Sequence, residues 1–143
     1  MRIWRLCRRP FADLSGDGAR LYGGRWNSPG RPMIYAAETA ALAVLEVRVH
    51  LDLDGSVLPD DYVLMAIDTG HGVAEEIAQA PADPCAVGDA WLASGRSALL
   101  RVPSFVVAES ANALANPLHR DAAKFAIVSL RPFAFDARLW PSP

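Results

Sequence analysis

Only two cysteines, Cys7 and Cys85, occur in 143 residues, too few for a disulfide framework and too far apart for a CxxC pair. Both are expected to be reduced packing residues. The three histidines, His50, His71 and His119, lack the spacing of metal ligands, so no metal centre is expected. No segment approaches the roughly 20 apolar residues of a membrane span, and the start lacks the apolar stretch of about 7–15 residues that marks a secretory signal. These absences point to the cytoplasm. Net positive charge is missing too: the formal charge is −2 and the pI is near 5.9, which removes any general attraction to nucleic acid or an anionic membrane. Neither is expected as a direct partner. There is no internal repeat, no GxGxxG or GK[ST] phosphate loop and no GxSxG elbow.

What is present describes an ordinary globular chain, 52% hydrophobic and 21% charged, of a length suited to one domain over residues 1–143. Its apolar periods and glycine-proline punctuation indicate an α+β class, a mixed and mostly antiparallel sheet with flanking helices. Residues 2–7 read as an amphipathic edge strand with a solvated arginine face, drawn from Arg2, Arg5, Arg8 and Arg9. Residues 13–24 hold four of the ten glycines and read as a long loop. A short buried strand over 32–37 precedes a helix over 39–51. Residues 62–68, apolar on both sides, suit a central strand. Two short helices, 73–80 and 86–94, are expected to cover the sheet without chemistry. Residues 98–107 are β-like but broken at Pro103. ESANALANPLH reads as tight turns at Asn112, Asn116 and Pro117, and FAIVSL and FAFDARLW close the chain as strands.

The chemistry is concentrated in residues 23–50, GGRWNSPGRPMIYAAETAALAVLEVRVH. Glu46 stands between Leu45 and Val47 in a nearly unbroken apolar run, where a carboxylate is desolvated at a penalty unless a partner receives it. His50, four residues on, shares its helix face and can pair with it; Leu42, Leu45 and Val49 share another side. Arg25 follows two glycines that allow close backbone approach, and its guanidinium fork suits phosphate oxygens. A glycine-rich hairpin with a solvated arginine would have the same pattern. Tyr35 belongs either to the core or to a cleft wall. Ser104 follows the break at Pro103 with no acid or histidine in triad order, so hydrogen bonding suits it better than nucleophilic attack.

Taken in order, GGRWN with a following tyrosine, the LEVRVH helix, the VPS segment and the closing NPLH resemble the RES-domain family, named for its Arg, Glu and Ser. The resemblance covers almost the whole chain. It implies a fold similar to ADP-ribosyltransferases, NAD as substrate with no metal, and the role of toxin beside an Xre-type DNA-binding antitoxin that occludes the pocket. It assigns the family's arginine to Arg25, its glutamate to Glu46 and its serine to Ser104, with Ser110 as rival. Tyr35 falls to the nicotinamide side and Arg5 to the phosphates or adenosine ribose; Asn116 and His119 fall to the turn near the site, Asn116 also as a candidate ligand contact.

Loss of nicotinamide from NAD leaves an oxocarbenium-like ribose, which Glu46 would stabilise electrostatically and through the 2′-hydroxyl while Arg25 fixes the pyrophosphate. The acceptor of ADP-ribose stays open among water, a protein side chain and inorganic phosphate, the last needing a second anion site at Arg5 or Arg48. A homodimer within the antitoxin complex is compatible with the apolar content. The rival reading is a non-catalytic nucleotide-binding interaction module.

Overall fold

A computed structural model describes residues 1–52 and 54–141. Its strands are β1 (Arg2–Arg8), β2 (Ile34–Ala37), β3 (Tyr62–Asp68), β4 (Glu75–Glu76), β5 (Leu99–Pro103), β6 (Ala111–Ala115) and β7 (Ala126–Pro132), and its helices α1 (Asp17–Tyr22), α2 (Ala40–His50) and α3 (Pro84–Ser94). The strands form one sheet in the order β4-β5-β6-β2-β1-β3-β7. Every neighbouring pair is antiparallel except β4–β5. This is the α+β class, with a mixed, mostly antiparallel sheet, that the apolar periods indicate.

Strand alternation sends side chains to two buried faces. Ile3, Ile34, Val63, Met65, Ile67 and Leu99 form one core face, covered by Ala12, Leu14, Ala74 and Phe125. The other face holds two clusters. One packs Leu6, Ala37 and Leu64 against α2 and the aromatic residues Phe135 and Trp140; the second packs Leu100, Val102 and Leu114 against Trp26, Met33 and the α3 residues Trp91 and Leu92. Both helices are capped by their own sequence. The Thr39 hydroxyl accepts from the Leu42 N–H at 3.1 Å, and the Asp83 carboxylate accepts from the Ala86 N–H at 3.1 Å just ahead of Pro84.

Several local expectations differ from the fold. β1 is interior, paired with β2 and β3, and not an edge. Its arginine pattern misleads because Arg2 and Arg8 lie exposed at the strand's two ends while Arg5 turns into a cavity. The loop over 13–24 contains α1, six residues long, and the helix expected over 73–80 is replaced by the two-residue strand β4. Asn112 lies inside β6, where pairing with both β2 and β5 overrides the turn preference of asparagine. FAFDARLW forms no strand: Phe133, Phe135 and Trp140 fold onto the α2 cluster, and Asp136 caps a short 3-10 turn over Ala137–Leu139. On α2 the buried residues are Leu42 and Ala43, with Ala40, Val44 and Val47 and the following Leu51 packed beside them; of the side expected to face the core Leu42 does so, whereas Val49 is exposed.

Candidate active site

β1 and β2 share a single register pair, Trp4 opposite Ala37, whereas β1 and β3 pair through seven. Residues from both faces of β1 (Trp4, Arg5, Leu6, Cys7) and of β2 (Tyr35, Ala36, Ala37) line one cavity of about 540 Å³, which occupies the opening where the two strands part. That volume lies in the usual range for small-molecule sites. α2 contributes Ala43, Glu46, Val47 and His50 to the lining, and the turn after α1 contributes Gly23, Gly24, Arg25 and Trp26. The carboxylate and the guanidinium singled out from sequence therefore line the same space.

Glu46 is held by two donors on one oxygen. The Ser104 hydroxyl donates to Oε1 at 2.6 Å and the Asn112 carboxamide donates to the same atom at 2.8 Å. Ser104 itself is buried and accepts from the N–H groups of Val106 and Val107, each at 3.0 Å. Its hydroxyl proton is thereby committed to Glu46, and among the described residues no donor meets Oε2. Ser110 meets this segment through its backbone, its carbonyl accepting from the Ser104 N–H and its N–H donating to the Val107 carbonyl. The pairing of Glu46 with His50 takes another form: His50 Nδ1 lies 2.8 Å from the backbone carbonyl oxygen of Glu46.

Arg25 rides on a tight hairpin closed by the Gly24–Asn27 bridge. Three elements fix that hairpin. Toward α1, Asn27 donates to the Ala19 carbonyl, and it donates as well to the Ser28 and Arg31 carbonyls that follow it in the chain. Toward β2, the Tyr35 hydroxyl donates to Asn27 Oδ1 at 2.6 Å and accepts from the Trp26 N–H at 3.0 Å. Tyr35 thus spends its hydroxyl on the turn and leaves its ring to the cavity; burial pushes its phenol well above the ordinary range, against the lowering contributed by the Trp26 bond. A side chain at Gly24 would put its Cβ 2.6 Å from the Tyr35 oxygen, so glycine is required there by close approach.

Toward α3, Asp89 accepts from the Ser28 N–H at 2.8 Å and from the Ser28 hydroxyl at 2.6 Å. Desolvation raises the Asp89 carboxyl, but the Ser28 bonds outweigh it and hold the group below the ordinary carboxylate range. Gly88 lets the helix touch the turn: a Cβ there would lie 1.8 Å from the Trp26 carbonyl oxygen. α3, expected only to cover the sheet, also anchors the arginine turn.

The remaining expectations divide. Arg5 lines the cavity and donates from Nη1 to the Tyr35 carbonyl at 3.1 Å, while its buried Nε has no partner among the described residues. Asn116 is not part of the cavity wall; its side-chain oxygen accepts from the Leu118 N–H and closes a turn. His119 caps the following 3-10 segment through the Asp121 N–H. Arg48 turns away, stacking over Trp140 at 4.2 Å and donating to the Leu139 carbonyl, so it offers no second anion site beside Glu46. Cys7 and Cys85 are free thiols. Among the described residues no group of three His, Cys, Asp or Glu could hold a metal ion. Asn112 and Asp89 were invisible in sequence because each meets its partner only across a long chain separation; Asn27 carried a faint signal as the last residue of GGRWN.

A family model of the RES domain matches residues 2–136. The chain belongs to the RES-domain family. This RES domain is 39% identical over 141 residues to the Prs ADP-ribosylating toxin of Sphingobium sp., covering 89% of this chain and 86% of that one. A stretch of 36 residues, 24% of this chain and 19% of the relative, is 53% identical to the NAD(+) phosphorylase MbcT of Mycobacterium tuberculosis. The crystal structure of the M. tuberculosis MbcT–MbcA toxin–antitoxin complex matches with a TM-score of 0.72 and 21% identity over 92% of this chain and 83% of that chain, a likeness of fold.

Proposed function

We propose that this chain is the toxin of a toxin–antitoxin pair, an enzyme that binds NAD in the cavity between β1 and β2, breaks the nicotinamide–ribose bond and passes ADP-ribose to an acceptor. The single observation that supports the reading is that Glu46 and Arg25 line one cavity, with one Glu46 oxygen tied back by Ser104 and Asn112. The names of the relatives, one ADP-ribosylating and one phosphorolysing NAD, agree with it.

In this reading Arg25 fixes the pyrophosphate, and Arg5, which lines the same cavity, contributes a second cationic group on the β1 side. The Tyr35 ring packs beside the nicotinamide. Glu46 takes the nicotinamide ribose on Oε2, accepting from its 2′-hydroxyl and opposing the positive charge that develops as the bond breaks. The bond's electron pair moves to the nicotinamide nitrogen, which loses its formal charge as it leaves. Ser104 and Asn112 act through Glu46, holding the carboxylate so that little reorganisation is needed when charge develops. The partner is an antitoxin of the Xre type whose inserted segment covers the cavity mouth and offers a carboxylate to Arg25, and the pair acts in the cytoplasm.

Incubating the purified chain with NAD, with and without inorganic phosphate, and resolving nicotinamide, ADP-ribose, ADP-ribose-1″-phosphate and modified protein tests the reaction and names the acceptor. Nicotinamide release is expected. A folded chain that binds NAD but releases none under every acceptor condition is instead a non-catalytic nucleotide-binding module, and the proposal fails.

A further inference from the structure

The Arg25 charge has no carboxylate partner among the described residues, yet the guanidinium is held. Its Cζ lies over the Phe105 ring, 4.3 Å from the centroid, and that ring is braced by Trp26 at 6.2 Å and a 60° tilt. Phe105 is 44% exposed and forms part of the cavity wall. The residue before it is Ser104, buried and fixed by its bonds to Glu46 and to the Val106 and Val107 N–H groups. Two adjacent residues therefore touch both charged poles of the site, a hydroxyl on the carboxylate and a ring on the guanidinium.

We propose that Phe105 is a positioning residue, an aromatic shelf that presets Arg25 for a pyrophosphate without consuming the donors that bind it. A guanidinium carries its five N–H groups in its own plane, and a carboxylate partner takes them edge-on, whereas an aromatic ring attracts the cation through its face. Holding Arg25 by a ring fixes the long side chain and leaves the whole fork open to phosphate oxygens. Because the shelf is joined directly to Ser104, it also sets the spacing between the anion clamp and Glu46. The inference rests on the proposed NAD-cleaving reading for its ligand, though the shelf itself is a property of the free protein.

The test compares wild type with Phe105→Trp, Phe105→Leu and Phe105→Glu in three measurements: Arg25 side-chain proton shifts without ligand, calorimetric affinity for inorganic pyrophosphate, and kcat and KM for NAD. Wild type and Phe105→Trp are expected to show an upfield ring-current shift of the Arg25 protons that Phe105→Leu lacks. Phe105→Leu should bind pyrophosphate about 3–10-fold more weakly and raise KM by a similar factor, with kcat within about twofold. Phe105→Glu should bind more weakly still, because its carboxylate captures the fork. Equal Arg25 shifts in wild type and Phe105→Leu, or equal pyrophosphate affinity, would overturn the shelf. A wild type that shows the shift but releases no nicotinamide leaves the shelf standing and removes the NAD-cleaving reading; active wild type with an indistinguishable Phe105→Leu does the reverse.

Discussion

Replacing Glu46 with Gln separates the fold from the chemistry, because the two oxygens of this carboxylate have different neighbours. Ser104 and Asn112 both donate to Oε1. A glutamine satisfies both by turning its carbonyl oxygen to that position, which forces its NH₂ to the position of Oε2. The buried donors keep an acceptor, so stability should change little. At the cavity, however, a negatively charged acceptor becomes a neutral donor facing the 2′-hydroxyl and the developing cation. Removing one preorganised electrostatic contact of this kind commonly costs about 2.7–4 kcal/mol in the transition state, or about 100- to 1,000-fold in rate. The expected result is therefore a melting temperature close to wild type, NAD affinity reduced only modestly and nicotinamide release, followed by chromatography, slower by about two orders of magnitude or more. Glu46→Ala should behave differently, losing stability because the Ser104 and Asn112 donors are left unpaired. If Glu46→Gln turns over NAD within about threefold of wild type, the electrostatic role given to Glu46 is wrong.

Two further predictions concern the clamp on the arginine turn. Gly88→Ala puts a methyl against the Trp26 carbonyl, so α3 and the turn must separate; a loss of about 1–3 kcal/mol in chemical denaturation is expected, with a raised KM for NAD, and an unchanged midpoint and KM would refute the contact. Asp89 has a carboxyl lowered in the folded protein, so its stabilisation is present above its unfolded value, near pH 3.9, and disappears as the pH falls through the lower folded value. Wild type should exceed Asp89→Asn in stability at neutral pH by a margin that shrinks in strong acid. A margin that stays constant down to about pH 2 would contradict the Ser28–Asp89 bond as its source.

Much of the site's vocabulary was legible residue by residue. Thr39 followed by an unbroken Ala- and Leu-rich run marks α2, and Glu46 is conspicuous there because a carboxylate in that setting demands a partner. GGRWN marks a tight turn that presents an arginine, and Pro103 marks the end of β5 just before Ser104. Such signals depend on backbone preferences and side-chain periods over a few neighbouring residues, which is the range at which sequence speaks directly.

The partnerships were not legible at that range. His50 was the neighbouring candidate for Glu46, whereas its side-chain donors are Ser104 and Asn112, the second 66 positions away. Asn112 has the composition of a turn and becomes a strand residue because β2 and β5 pair on either side of it. β1 has the composition of an edge and becomes interior for the same kind of reason.

By itself, then, the sequence determined the segments whose local preference is strong, β2, α2 and β3 among them, and which side chains with usable chemistry the chain carries. Only the tertiary structure decided that β1 and β2 part beside a cavity, that α3 grips the arginine turn and that one oxygen of Glu46 is held by Ser104 and Asn112. Strand order and long-range side-chain contacts depend on how distant segments share buried surface and hydrogen bonds, and no local window contains that information.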